Sequence, residues 1–129
     1  MHSINNHKVD EVKDLTIEAV DNKGIGNANH HYRISGFNTS SNASEINTIG
    51  VTEVDILFQN GTIPENGING ITNEALLAIV GDRLHGFQSG PFACDENTIA
   101  LSYVGLALNA LQKRTIQRIM RNVEGTHTV

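Results

Sequence analysis

The hydrophobic period of this chain changes near residue 70, and the helical stretch that follows limits every fold open to it. From Asp95 to about Glu124 the residues keep a helical period, with Gly125 as a natural C-terminal cap. At about 1.5 Å of rise per residue, such a helix would be roughly 42–45 Å long. A chain of 129 residues supports one domain with one modest core. A single copy cannot cover a rod of that length. Its middle, Ile99 to Leu111, is apolar nearly all round, which calls for burial on several sides. Both points lead to the expectation of a homo-oligomer packed through its helices.

The end of that helix changes character. At about 100° per residue, Arg114, Arg118 and Arg121 fall within about 60° of one another, and Ile116, Ile119, Met120 and Val123 cover the opposite face. The expectation is a helix anchored on one side and presenting guanidinium groups on the other. Arginine suits that task because its planar fork grips phosphate oxygens and keeps its charge when partly desolvated. Cations at the negative pole of a helix dipole would produce the same stripe with no ligand at all.

Charge distribution sharpens the point. The net charge is −5, which argues against a general coat for nucleic acid. Residues 1–60 hold four basic and eight acidic side chains, whereas residues 113–121 hold four basic and no acidic ones. A compact cationic spot on an acidic body fits a small phosphorylated ligand better than a polymer, which needs an extended basic surface. Cys94 is alone, so no intrachain disulfide forms and a reducing compartment is expected. Neither a signal peptide nor an apolar run of about 18 residues is visible, so a cytosolic, membrane-free protein is expected.

Before residue 70 the pattern is that of strands. Residues 1–12 read as flexible. Residues 15–20, 30–36 and 51–59 alternate and are β-branched, as antiparallel strands require. Asp21 to Asn27 forms a turn, residues 38–44 a polar loop tip, and Asn60-Gly61 a tight turn. A loop containing Pro64, Gly67 and Gly70 closes this half. Thr72 or Asn73 then caps a helix running to about Gln88, where Ser89-Gly90-Pro91 breaks it. The fold class is therefore α+β: a single domain over 1–129, with an antiparallel β half at 1–68 and a long two-helix hairpin with its tail at 69–129.

Most catalytic patterns are set aside on spacing. Gly24-Ile25-Gly26 lacks the third glycine of a dinucleotide fingerprint and opens no helix, so it reads as a turn. His30 and His31 are adjacent in a strand, point to opposite faces, and cannot chelate one metal together. Cys94 precedes a helix start but has no visible partner group, so a small buried or half-buried thiol is expected. Neither a metal site, a cofactor nor a catalytic residue is expected. Phe87 ends the first helix beside a glycine-containing loop, where a ring can stack on a nucleobase or simply pack at the hairpin turn. Asn97, in the first turn of the next helix, offers an amide donor and acceptor to a base edge. Arg114 lies roughly 25 Å along the helix from Asn97, so one hairpin cannot close these groups around one small ligand. An antiparallel neighbour could, with the pocket straddling a subunit interface.

These residues carry a resemblance. Asn60-Gly61-Thr62-Ile63, residues 66–101 (NGINGITNEALLAIVGDRLHGFQSGPFACDENTIAL), the run Leu111 to Arg118 and the ending Val123-Glu124-Gly125-Thr126-His127 resemble the phage and prophage Thoeris anti-defence sponges of type one. Residues 27–36 are similar to the family's β half, so the likeness covers roughly 14–129. One departure is Asn122, where family members often carry glycine. The resemblance implies a non-catalytic binding protein for cyclic ADP-ribose isomers made by bacterial TIR-domain immune enzymes. It further implies that some members hold cyclic di- or trinucleotides of CBASS defence in separate pockets of a hexamer. By resemblance, Phe87 and Asn97 contact the adenine side and Arg114 and Arg118 the pyrophosphate, with Arg121 and Arg33 as weaker candidates. The expected partners are a small cyclic nucleotide signal and further copies of the chain, in the cytoplasm of an infected bacterium. Two other readings compete: a phosphodiesterase degrading the same signals, and an inhibitor that docks its arginine stripe on an acidic protein.

Overall fold

A computed structural model describes residues 1–24, 26–46 and 49–122. The chain divides into two compact units, Met1–Gly70 and Ile71–Val129.

The first unit is a four-stranded antiparallel sheet in the order β1 (His2–Ile4), β2 (Thr16–Ala19), β3 (His31–Ser35) and β4 (Glu53–Leu57). Each core strand is one or two residues shorter at either end than its alternation suggests. The ladder nonetheless continues, with Val20 N–H donating to the His31 carbonyl and Phe58 N–H to that of His30. The register sorts residues by face. Ile4, Ile17, Ile34 and Val54 form one cross-strand row, and His2, Ala19, Tyr32 and Ile56 form a second row on the same face. Between them, on the opposite face, runs Ser3, Glu18, Arg33 and Asp55. Apolar and polar rows therefore alternate with the pleat, as strand geometry demands. Tyr32 and Phe58 meet edge-on, ring centres 5.7 Å apart.

The amino-terminal residues correct the expectation of flexibility. His2–Ile4 pairs with β2 as an edge strand, and His7 Nε2 donates to the Leu15 carbonyl at 2.8 Å. A three-residue strand has too short a period of its own to be read, and its partner strand supplies the register. Similarly, the loop carrying Pro64 contains a single turn of helix, α1 (Ile63–Asn66), with Pro64 in its first turn and Gly67 at φ +68° as its cap.

Glycine is obligatory at Gly36. Its φ is +87°, and a Cβ there would stand 1.9 Å from the Asp14 carbonyl oxygen. The turn after β2 is held by Asp21, whose carboxylate accepts the His30 N–H at 3.0 Å and the Asn29 amide at 3.2 Å. The His30 bond is the main reason that Asp21 titrates below its usual range.

The second unit is an antiparallel hairpin of α2 (Asn73–Gln88) and α3 (Asp95–Asn122). Thr72 caps α2, its hydroxyl accepting the Ala75 N–H at 3.0 Å. At the tip, the Gln88 amide grips the start of α3: Oε1 accepts the Cys94 N–H at 3.0 Å, and Nε2 donates to the Cys94 carbonyl and the Thr98 hydroxyl. Gly81 leaves room for Val104, whose Cγ1 would lie 3.6 Å from a Cβ at that position. At the far end Thr115 Oγ1 donates to Glu74 Oε2 at 3.0 Å. Because α2 begins at Asn73, the rest of α3 overhangs it. Val123, Glu124 and the expected cap Gly125 lie outside the described residues. Among the described residues no helix is long and apolar enough to cross a membrane.

The face opposite the arginines is not anchored within the hairpin as expected. Ile116 and Met120 are 58% and 66% exposed, because α2 stops short of them. Among the described residues Ala19 alone is a fully buried apolar side chain.

Two substitutions test these supports. Thr72→Ala should lower stability by about 1 kcal/mol through loss of the cap, read as a shift in the urea midpoint. Gly36→Ala should cost more, about 1–3 kcal/mol, because both the backbone angle and the Asp14 carbonyl oppose a methyl group.

Candidate functional site

The two ends of the hairpin hold the candidate residues. At the tip, Phe87 is 40% exposed in the last turn of α2, and Asn97 is half-buried in the first turn of α3. The Arg83 guanidinium lies 5.6 Å from the centre of the Phe87 ring, within cation–π range and one helical turn away. Arg83 and the clamp residue Gln88 were not singled out from the sequence. The four-residue spacing of Arg83 and Phe87 was the available signal for the first.

At the other end, Arg114 and Arg121 are exposed and Arg118 is half-buried. Among the described residues neither Arg114 nor Arg118 has an acidic partner. The Glu74–Thr115 bond fixes this end beside the start of α2, while Phe87 sits at the end of α2. One hairpin therefore keeps Phe87 and Asn97 apart from Arg114 and Arg118.

The face carrying the arginines also carries uncovered apolar side chains. With Ile99 as origin and about 100° per residue, Tyr103 and Leu106 lie within about 40°, Arg121 at about 40°, Arg114 at about 60° and Arg118 at about 100°. Ile99, Tyr103 and Leu106 are all more than half exposed. The half-buried positions Val104, Leu108, Leu111 and Thr115 occupy a separate sector at about 120–180°, toward α2. An apolar stripe thus runs directly into a cationic one.

Arg33 is placed otherwise. It belongs to the sheet unit, where its Nε donates to Asp55 Oδ1 at 2.8 Å and lies 3.2 Å from Glu53. The Asp55 hydrogen bond raises the guanidinium pKa further and holds the Asp55 carboxyl below its usual range. His31 Nε2 stands 3.5 Å from Asp55 on that side of the sheet, whereas His30 lies against Gly24. Gly24 and Gly26 belong to a turn, with Gly24 N–H donating to Ala28 and Gly26 at φ +86°; Ile25 between them lies outside the described residues. Cys94 is exposed, not buried or half-buried as expected, because it lies in the turn before α3 with its backbone engaged by Gln88. Among the described residues no group of three His, Cys, Asp or Glu side chains is placed to hold a metal ion.

An antiparallel sheet followed by a long helical hairpin with a cationic overhang defines a small hairpin-domain protein. Residues 51–115, half of the chain, match the family described as the Acb2/Tad1 hairpin domain. The chain belongs to that family. It is similar to Thoeris anti-defense 1 of Bacillus phage SBSphiJ7, with 49% identity over 70 residues. That similarity takes in 54% of this chain and 49% of the relative, so it spans about half the relative's length. Phe87, Asn97 and Arg114 fall within the family match, and Arg33, Arg118 and Arg121 fall outside it.

The paired carboxylates predict an acid limit for the sheet. Asp55 and Asp21 are both depressed in the folded state, so their contribution is full above the unfolded carboxylate value of about 3.9. It fades as pH falls through and below that value. Urea midpoints across acid pH should show this loss, and Asp55→Asn should flatten it.

Proposed function

We propose that this protein is a non-catalytic sponge that sequesters cyclic ADP-ribose-type signals and so blocks Thoeris defence inside an infected bacterium. Its family and the name of its phage relative support the anti-defence role. The observation that carries the physical reading is the shared face of α3, where Ile99, Tyr103 and Leu106 run into Arg114 and Arg121. A second copy seated antiparallel on the apolar stripe would bring its hairpin tip toward the arginines. Phe87 and Asn97 of one copy would then hold the base, and Arg114 and Arg118 of another the pyrophosphate, with Arg121 in a lesser role. Arg83 lies over the Phe87 ring, and a base would stack on the ring's opposite face.

Sequestration demands affinity rather than chemistry. Nanomolar binding is about −12 kcal/mol, within reach of two charge-assisted phosphate contacts and a stacked base shielded from water. A general base or a metal adds nothing to that task. The assembly is a dimer or hexamer, and cyclic di- or trinucleotides of CBASS defence are further ligands to be tried.

Incubating a cyclic ADP-ribose isomer with the protein and then heat-denaturing the mixture should return the isomer intact. A linear product would make the protein a phosphodiesterase instead. Arg114→Ala or Arg118→Ala should weaken binding by about 1.5–3 kcal/mol, roughly ten- to a hundredfold in Kd, measured by calorimetry. Assembly should survive both changes, as judged by the sedimentation coefficient. Tyr103→Glu should break the assembly and, with it, abolish binding in the shared pocket. A ligand should also raise the melting temperature by linkage, whereas an inhibitor that works by docking on an acidic protein would show no such shift.

A further inference from the structure

Three Asn-Gly pairs lie within the loop that follows β4: Asn60-Gly61, Asn66-Gly67 and Asn69-Gly70. This dipeptide is chemically labile because glycine has no Cβ to shield its nitrogen from the preceding side-chain amide. The reaction needs two groups to be available at once. The asparagine amide must be able to turn onto its own backbone, and the glycine N–H must be out of a hydrogen bond.

The three pairs differ most in how the asparagine amide is held. Asn66 donates from Nδ2 to the Thr62 carbonyl at 3.1 Å, and Gly67 N–H donates to the Ile63 carbonyl at 2.8 Å in the last turn of α1. Asn69 is held by both ends of its amide: Oδ1 accepts the Asn60 N–H at 2.9 Å and Nδ2 donates to the Asn60 carbonyl at 2.8 Å. Asn60 is exposed, and among the described residues neither its side-chain amide nor the Gly61 N–H has a hydrogen-bond partner.

We infer that Asn60 is a site of spontaneous deamidation, and that the fold protects Asn66 and Asn69. The Gly61 nitrogen adds to the Asn60 side-chain carbonyl carbon. The amide nitrogen leaves as ammonia with the Gly61 proton, and a succinimide ring closes. Water then adds to either ring carbonyl and opens the ring to aspartate or isoaspartate. Water is the sole co-reactant, and no electron changes hands. The isoaspartate product lengthens the main chain by one carbon between the two Asn60 groups that Asn69 grips. The modified loop therefore loses its amide clasp and gains a negative charge.

The test is ageing of the full chain at mildly alkaline pH, in buffer and in parallel in concentrated urea, followed by digestion after glutamate and mass analysis. Cleavage after Glu53 and Glu65 isolates Asn60 on residues 54–65, and cleavage after Glu74 leaves Asn66 and Asn69 on residues 66–74. In buffer, residues 54–65 should gain the mass of an amide-to-acid change several-fold faster than residues 66–74. In urea the difference should collapse, because only the fold distinguishes the sites. Asn60→Ser should abolish the gain in the first peptide. Equal rates in buffer, a faster second peptide, or a preference that persists unchanged in urea would each overturn the assignment.

Discussion

The antiparallel pairing of α2 with α3 is pinned at both ends, and the placement of every candidate residue follows from it. At the tip the Gln88 amide holds the Cys94 backbone and the Thr98 hydroxyl. At the base the Glu74 carboxylate holds Thr115. These bonds fix the longitudinal register of two helices whose apolar seam alone would tolerate a slip. The longer helix therefore outruns the shorter one, and the arginines lie on the part that projects. The separation of Phe87 from Arg114 is thus built into the hairpin.

What the hairpin leaves uncovered matters as much as what it joins. The Val104, Leu108 and Leu111 sector is satisfied by α2, while Ile99, Tyr103 and Leu106 look outward. Burying a large apolar side chain stabilises by about 1.5–3 kcal/mol, so three in line are a strong incentive to pair. In the proposed assembly, continuity between that stripe and Arg114 would couple burial of the stripe with the placement of the cations.

The sheet and the hairpin were legible in the sequence because both have a clear period. Val54 and Ile56 advertise a strand, and the run from Ala75 to Val80 advertises a helix. β1 and α1 were not legible, since three or four residues are too few to repeat and their form is imposed by Ile17 and by Pro64 with Gly67. The arginine stripe could be read from spacing alone. Its supposed apolar anchor at Ile116 and Met120 could not, because that depended on where α2 begins relative to Thr115. The engagement of Arg33 with Asp55 and Glu53 needed the β3–β4 register, which no local pattern encodes.

The overhang also shapes how an anion would arrive. Outside residues 113–121 the chain carries fourteen acidic groups against five basic ones. A phosphate-bearing molecule is therefore repelled by most of the chain's charge and drawn to one end of one helix. At physiological ionic strength this guidance extends over a Debye length of about 8 Å. On the proposed reading, capture would be directional, and its association rate would fall as salt is added well before its equilibrium strength is exhausted.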